Sequence, residues 1–151
     1  MKNLIAALLL CIIPLASYAN PDDANGSGLV SRSSPYPVAE TMDRLEAVLH
    51  AKGIKVFARI DHAAEAQSVG LSLRPTQLLI FGNPKAGTPL MQAAPTIALD
   101  LPMKVLAWQD DRGQVHVDWN SPDFLIQRHG MDSVYSKNLA AIGGLVDAAL
   151  K

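Results

Sequence analysis

The chain has a single cysteine among its 151 residues. One thiol excludes a disulfide framework and any zinc site built from several cysteines. Charge is also sparse. Asp, Glu, Lys and Arg make up 18% of the chain, below the roughly one quarter usual in globular domains. Apolar residues reach 49%, and the two figures together argue for a packed core over wholesale disorder. The 13 basic and 14 acidic residues nearly cancel, which argues against a nucleic-acid partner. Several chemical signatures are missing as well. The sequence has no Walker or dinucleotide glycine loop, no Gly-x-Ser-x-Gly elbow and no C-x-x-C-H haem attachment site. His50, His116 and His129 form no zinc-ligand spacing. Ser68, Ser72 and Ser121 have no local sign of activation.

What is present begins with a targeting signature. Lys2 precedes an apolar run over residues 4–13, Pro14 breaks it, and Ser17-Tyr18-Ala19 places small residues at both positions a signal peptidase reads. This predicts a secretory signal over residues 1–19, cleaved after Ala19, and a periplasmic protein. The run is too short for the roughly 20 apolar residues a bilayer span requires, so no stable membrane anchor is expected. Leu8, Leu9 and Leu10 before Cys11 are not the small residues of a lipoprotein site. Cleavage would remove Cys11, which suits an oxidising compartment.

Length favours one domain. Residues 20–37 are rich in Ser, Gly, Pro, Asn and Asp and read as a flexible lead-in. Residues 38–151 read as a single α+β domain. Val38, Met42, Leu45 and Leu49 recur at helical spacing over residues 37–52, with Gly53 as the left-handed stop. Residues 54–61 alternate, placing Ile54, Val56, Ala58 and Ile60 on one face of a strand. A short helix over residues 63–69 follows, with Asp61 as its cap. Residues 76–81 form a central strand around Leu78-Leu79-Ile80-Phe81, and residues 82–87 a loop. Thr88 then caps a short helix with Pro89 at its first position. A hairpin follows over residues 103–109 and 114–119, in which Trp108 is expected to face Val115 and Leu106 to face Val117. That register puts Leu106, Trp108 and Trp119 in the core and His116 and Asp118 outside. Ser121-Pro122 opens another helix. Ser133 caps the last one, where Gly143 and Gly144 imply close packing on the sheet. The expectation is a two-layer sandwich of about four strands packed by the two longer helices.

Particular stretches carry a family resemblance. They are Phe57-Ala58-Arg59-Ile60-Asp61-His62, Leu73-Arg74-Pro75-Thr76, Phe81-Gly82-Asn83-Pro84, Gly87-Thr88-Pro89-Leu90-Met91 and Asp100-Leu101-Pro102. Over residues 38–150 the chain resembles the domain-of-unknown-function family numbered 302. The resemblance implies a small α+β fold, often exported and in some cases a homodimer. It supplies neither an activity nor the identity of a cofactor, and both stay open.

Chemistry points to the ends of strands, where loops carry side chains that a rigid sheet positions. His62 ends the first predicted strand and can act as proton donor, metal ligand or binding group. Gly82 and Gly87 permit close backbone approach, while Thr88 at a helix start, with Lys85 nearby, offers N–H groups to a carboxylate or phosphate. Asp100 closes the turn before Pro102 and could pair with Arg74 or sit near His62. If the strands ending at Asp61 and Phe81 are parallel, these groups share one edge. The resulting expectation is a non-catalytic module that binds a small polar or anionic molecule through His62, Phe81, Gly82, Asn83, Pro84, Gly87, Thr88 and Asp100. Two alternatives use subsets of the same region. One is a metal or haem protein ligated by His62 and Met91. The other is a hydrolase or isomerase with His62 and Asp100 as an acid–base pair.

Overall fold

The computed structural model describes residues 26–151. The expected signal over residues 1–19 and the start of the expected lead-in lie outside the described residues. The fold is α+β, with five antiparallel strands where about four were expected. In chain order these are β1 (Leu29–Ser34), α1 (Val38–Ala51), β2 (Lys55–Asp61), α2 (His62–Ser68), β3 (Thr76–Gly82), α3 (Pro84–Ala93), β4 (Met103–Gln109), β5 (Val115–Asn120), α4 (Pro122–Arg128) and α5 (Ala141–Ala149). Two 3-10 turns, Pro95–Leu99 and Ser133–Asn138, fill the connections. The strand order is β1-β5-β4-β3-β2.

The additional strand lies within the expected lead-in. β1 pairs with β5 along its length, Leu29 opposite Asn120 and Ser34 opposite Val115. Its inward positions are Val30, Arg32 and Ser34, of which Val30 alone is apolar, so alternation is not visible in the sequence. Buried Ser34 is satisfied by the Thr41 hydroxyl at 2.7 Å, as a buried polar group must be.

α1 and α5 bury Met42, Leu45, Leu49, Ile142, Leu145 and Val146 against one face of the sheet. Leu79, Phe81, Val105, Ala107, Val117 and Trp119 meet them from the strands. Trp119 is in this core as expected, but Leu106 and Trp108 are not. Leu106 pairs with Asp118 and Trp108 with His116, one residue away from the expected register. The hairpin loop closes with Asp110 N–H donating to the Gln114 carbonyl, while the Asp110 carboxylate accepts from the Arg112 and Gln114 amides. The loop therefore includes Gln114. One added loop residue exchanges the two faces of β4, because side chains alternate with period 2. Trp108 lies on the outer face, stacked on His116, and its Nε1–H donates to Asp118 Oδ2 at 2.6 Å.

β2 also departs from simple alternation. A bulge between Val56 and Ala58 shifts the register. Val56 faces the core beside Phe81, whereas Ala58 and Ile60 pair with Ile80 and Leu78 on the outer face. The added residue, Phe57, re-aims everything after it.

The glycines of α5 are not required by packing. A Cβ on Gly143 would meet only the edge of Trp119, at 3.9 Å, and one on exposed Gly144 would meet nothing within 4 Å. Gly144→Ala is therefore expected to stabilise the fold by about 0.5–1 kcal/mol, since the glycine penalty in a helix is removed at no steric cost. A denaturant titration showing destabilisation would contradict this placement.

Candidate functional site

The strand ends decide which predicted residues can meet. β2 and β3 are antiparallel, with Asp61 opposite Gln77 and Lys55 opposite Gly82. His62 follows Asp61 at one end of this pair, and Gly82 closes the other. The two ends are separated by about 20 Å of strand. The shared edge expected from a parallel crossover is not formed: residues 62–75 return the chain to the end it left. His62 is the first residue of α2 rather than part of a pocket with Gly82. The paired use of His62 with Met91 or with Asp100 fails for the same reason, because Met91, Leu101 and Pro102 all belong to the Gly82 end. Among the described residues, no group of three or more His, Cys, Asp or Glu side chains could hold a metal ion.

Asp61 does cap α2. Its Oδ1 accepts the Ala64 amide at 3.0 Å and its Oδ2 the Gln77 side-chain amide at 2.8 Å. The Ala64 bond, reinforced by Gln77 and the Arg59 charge, holds the Asp61 carboxyl below its ordinary value of 3.8 against opposing desolvation. The Asp110 carboxyl is also held low, chiefly by its hydrogen bond to His116. Depressed folded-state values mean that both contributions are complete above the unfolded values and are lost as pH falls through the folded ones. Stability is expected to be level near neutrality and to decline below about pH 4. Asp61→Asn keeps a cap oxygen without titrating, so its acid limb in pH-dependent thermal unfolding should be shallower. An unchanged limb would remove Asp61 from this account.

At the Gly82 end the sequence residues do converge. Phe81, Gly82, Asn83, Pro84, Gly87 and Thr88 line one cavity of about 320 Å³. Its walls come from four places. β3 delivers Phe81 and Gly82, and α3 supplies Gly87 and Met91. Leu101, Pro102 and Met103 approach from the start of β4, and Leu139, Ile142 and Leu145 close the far side. Gly82 is narrow by necessity, since a Cβ there would stand 3.4 Å from Pro102 and 3.6 Å from Phe57. The lining carries no charged side chain, and its polar side chains are Asn83, Thr88 and Asn138. Asn138 is partly engaged, its Nδ2 donating to the Ala86 carbonyl at 3.3 Å.

The helix start expected at Thr88 lies earlier. Asn83 is the cap, with Oδ1 accepting the Lys85 amide at 2.9 Å, and Pro84 holds the first position. Thr88 and Pro89 are inside α3. Thr88 therefore presents no helix-terminal N–H group to an anion, and the electrostatic case for a carboxylate or phosphate there lapses.

Asp100 lies beside this cavity without lining it. Its Oδ2 is 2.7 Å from His129 Nε2, its Oδ1 is 3.4 Å from Arg128 Nη1, and its carbonyl accepts from Lys104 Nζ at 2.8 Å. His129 Nδ1 in turn lies 3.0 Å from the Thr96 hydroxyl. Asp100 thus pairs with His129 rather than with His62 or Arg74. The contact joins positions 29 apart, and no local spacing announced it. Its consequence is mechanical: α4 fixes the turn from which Leu101 and Pro102 enter the cavity wall.

Residues 30–149 match the family described as Domain of unknown function DUF302. The chain belongs to that family. A crystal structure of a DUF302 protein from Bacillus stearothermophilus, uncharacterized itself, superposes with a TM-score of 0.69 at 22% identity. The match covers 82% of this chain and 96% of that one, and at that identity it shows the shared DUF302 fold alone. Two curated relatives are named fluoride-specific ion channel FluC 1. The one from Brucella suis biovar 1 (strain 1330) is 50% identical over 105 residues, covering 70% of this chain and 41% of that protein. The one from Brucella abortus biovar 1 (strain 9-941) is 50% identical over 105 residues and is covered to 39%. The chain spans about two fifths of the length of these curated relatives. Among the described residues, no helix is long and apolar enough to cross a membrane.

Proposed function

We propose that this DUF302 chain is an exported, non-catalytic module that holds a small, uncharged and largely apolar molecule in the cavity at the Gly82 end of the sheet. The carrying observation is the lining: a concave site of about 320 Å³ without a charged side chain, at the small end of the roughly 300–1,000 Å³ typical of ligand pockets. Apolar walls reward burial of apolar surface, and Asn83, Thr88 and Asn138 offer hydrogen bonds to one neutral polar end. A charged ligand would lose its hydration without a counter-charge. Four of the stretches that carry the family resemblance, at Phe57 and around Phe81, Gly87 and Leu101, meet here.

Thermal unfolding with medium-chain alcohols and with the matching carboxylates tests the ligand class. A ligand that binds only the native state raises the melting temperature, so the alcohols are expected to raise it and the carboxylates are not. A larger rise with the carboxylates would return the site to the anion reading.

A second reading is favoured by the relatives. Half of the matched residues are identical to proteins named fluoride-specific ion channels, which suggests a role beside fluoride transport. The chain spans about two fifths of those relatives' length, so in this reading it plays an accessory part beside the transport step. Deleting the gene should then sensitise cells to fluoride; unchanged tolerance would set this reading aside.

A further inference from the structure

We propose that the cavity selects a planar aromatic ring, and that Phe57 is the residue that makes the selection. This rests on the reading of the cavity as a ligand site, and it names the chemical class that the site takes. Among the described residues with large, exposed apolar side chains, Phe57 is the one that lines the cavity, and it is 46% exposed. An aromatic ring left in water at the rim of an apolar cavity is unfavourable, and a ligand that covers it removes that cost. The bulge between Val56 and Ala58 puts the ring there, as bulges re-aim side chains beside functional sites. Lys55 Nζ stands 4.7 Å over the ring, a cation–π contact that holds it at the mouth.

The space beside the ring suits a flat group. Gly82 leaves a Cβ position empty, and Phe57 Cε2 and Pro102 Cβ border that position at 3.6 and 3.4 Å. An aromatic carbon placed there touches both side chains at van der Waals distance. A planar ring reaches the space edge-on. The axial hydrogens of a saturated ring with the same skeleton would press on neighbours already at contact. The rest of the lining agrees. Met91 and Met103 bring thioethers to the walls, and Phe81 brings a second ring. Thioether sulfur makes favourable contacts at the edge of an aromatic ring, and offset or edge-to-face ring pairs add to what burial alone gives. Asn83, Thr88 and Asn138 can meet a single hydroxyl or N–H group. The class is therefore a neutral arene of one or two fused rings with one such group, within the cavity's volume of about 320 Å³.

Calorimetric titration of the full chain with 2-naphthol and with decahydro-2-naphthol tests this, because the two share a carbon skeleton and a hydroxyl and differ in aromaticity. The wild type is expected to bind 2-naphthol at least about fivefold tighter, a ratio within reach of aromatic contacts. Phe57→Leu should bring the two affinities within about twofold. Gly82→Ala places its Cβ at ordinary contact distances, in a strand, at a glycine outside the left-handed region. It should weaken 2-naphthol at least tenfold in a protein that melts no lower than the wild type. Equal affinities in the wild type, or a preference that survives Phe57→Leu, would overturn this inference while leaving the cavity a ligand site. Saturable binding of neither compound would overturn both readings. If Phe57→Leu fails to fold, Gly82→Ala decides, and unchanged 2-naphthol affinity there would overturn the inference.

Discussion

Leu79→Ala is expected to lower the free energy of unfolding by about 3–5 kcal/mol, the range seen for leucine truncation in a close-packed core. Leu79 is completely buried, on the interior strand β3, between β2 and β4. It shares the core with Met42, Leu45 and Leu49 of α1. The lost contacts lie on both layers, so the site cannot collapse around the smaller side chain without moving α1 or a strand. A shift in the denaturant midpoint at unchanged slope measures this. A loss below about 0.5 kcal/mol would mean that β3 is not an interior strand packed against the helices.

Gly28→Ala is expected to cost about 2–4 kcal/mol through two separate effects. Gly28 has φ +77°, in the left-handed region where an L side chain loses about 1–2 kcal/mol. A Cβ there would also stand 2.2–2.5 Å from three atoms of the Phe124 ring, which must then be displaced at the further cost of an overpacked site. The position matters because the Gly28 carbonyl accepts the Ser121 amide at 2.7 Å, and Ser121 caps α4 through the Phe124 amide. One glycine thus joins the entry of β1 to the start of α4. Phe124→Leu should recover part of the loss in the double variant, because the alanine then meets a flexible chain. Equal destabilisation with and without Phe124→Leu would leave only the backbone effect.

Local chemistry was legible in the sequence at several single elements, though not at α3, where two Pro-preceded caps compete and Asn83-Pro84 rather than Thr88-Pro89 opens the helix. The spacing of Val38, Met42, Leu45 and Leu49 placed the buried face of α1. Asp61 and Ser121-Pro122 marked helix starts that the structure contains. Features set by two distant segments were not legible. β1 is an edge strand whose inward side chains are mostly polar, so its pairing with β5 leaves no periodic trace. The direction of β3 relative to β2 depends on where the path through α2 and residues 69–75 ends, and its length fits a crossover or a return equally well. The faces of β4 turned on whether Gln114 belongs to loop or strand. The site followed the same division. The stretch from Phe81 to Thr88 is contiguous and forms one wall of the cavity. Leu139, Ile142 and Leu145 close it from the other end of the chain, and their apolar character reverses the ligand polarity that His62, Lys85 and Asp100 had suggested.

The cavity can be tested at a position that leaves the fold intact. Gly87 lies within α3 and lines it, and a Cβ there would point between Leu101 and Met91 at ordinary contact distances of 3.7 and 3.9 Å. Leucine at this position therefore grows into the space a ligand would use, and it favours the helix over glycine. The decisive measurement is a fluorescence titration of an uncharged naphthylamine dye into the wild-type protein and into Gly87→Leu. The cavity account predicts saturable one-to-one binding by the wild type and at least tenfold weaker binding by a variant whose melting temperature has not fallen. Equal affinity in the two proteins, or no saturable binding by the wild type, would contradict it.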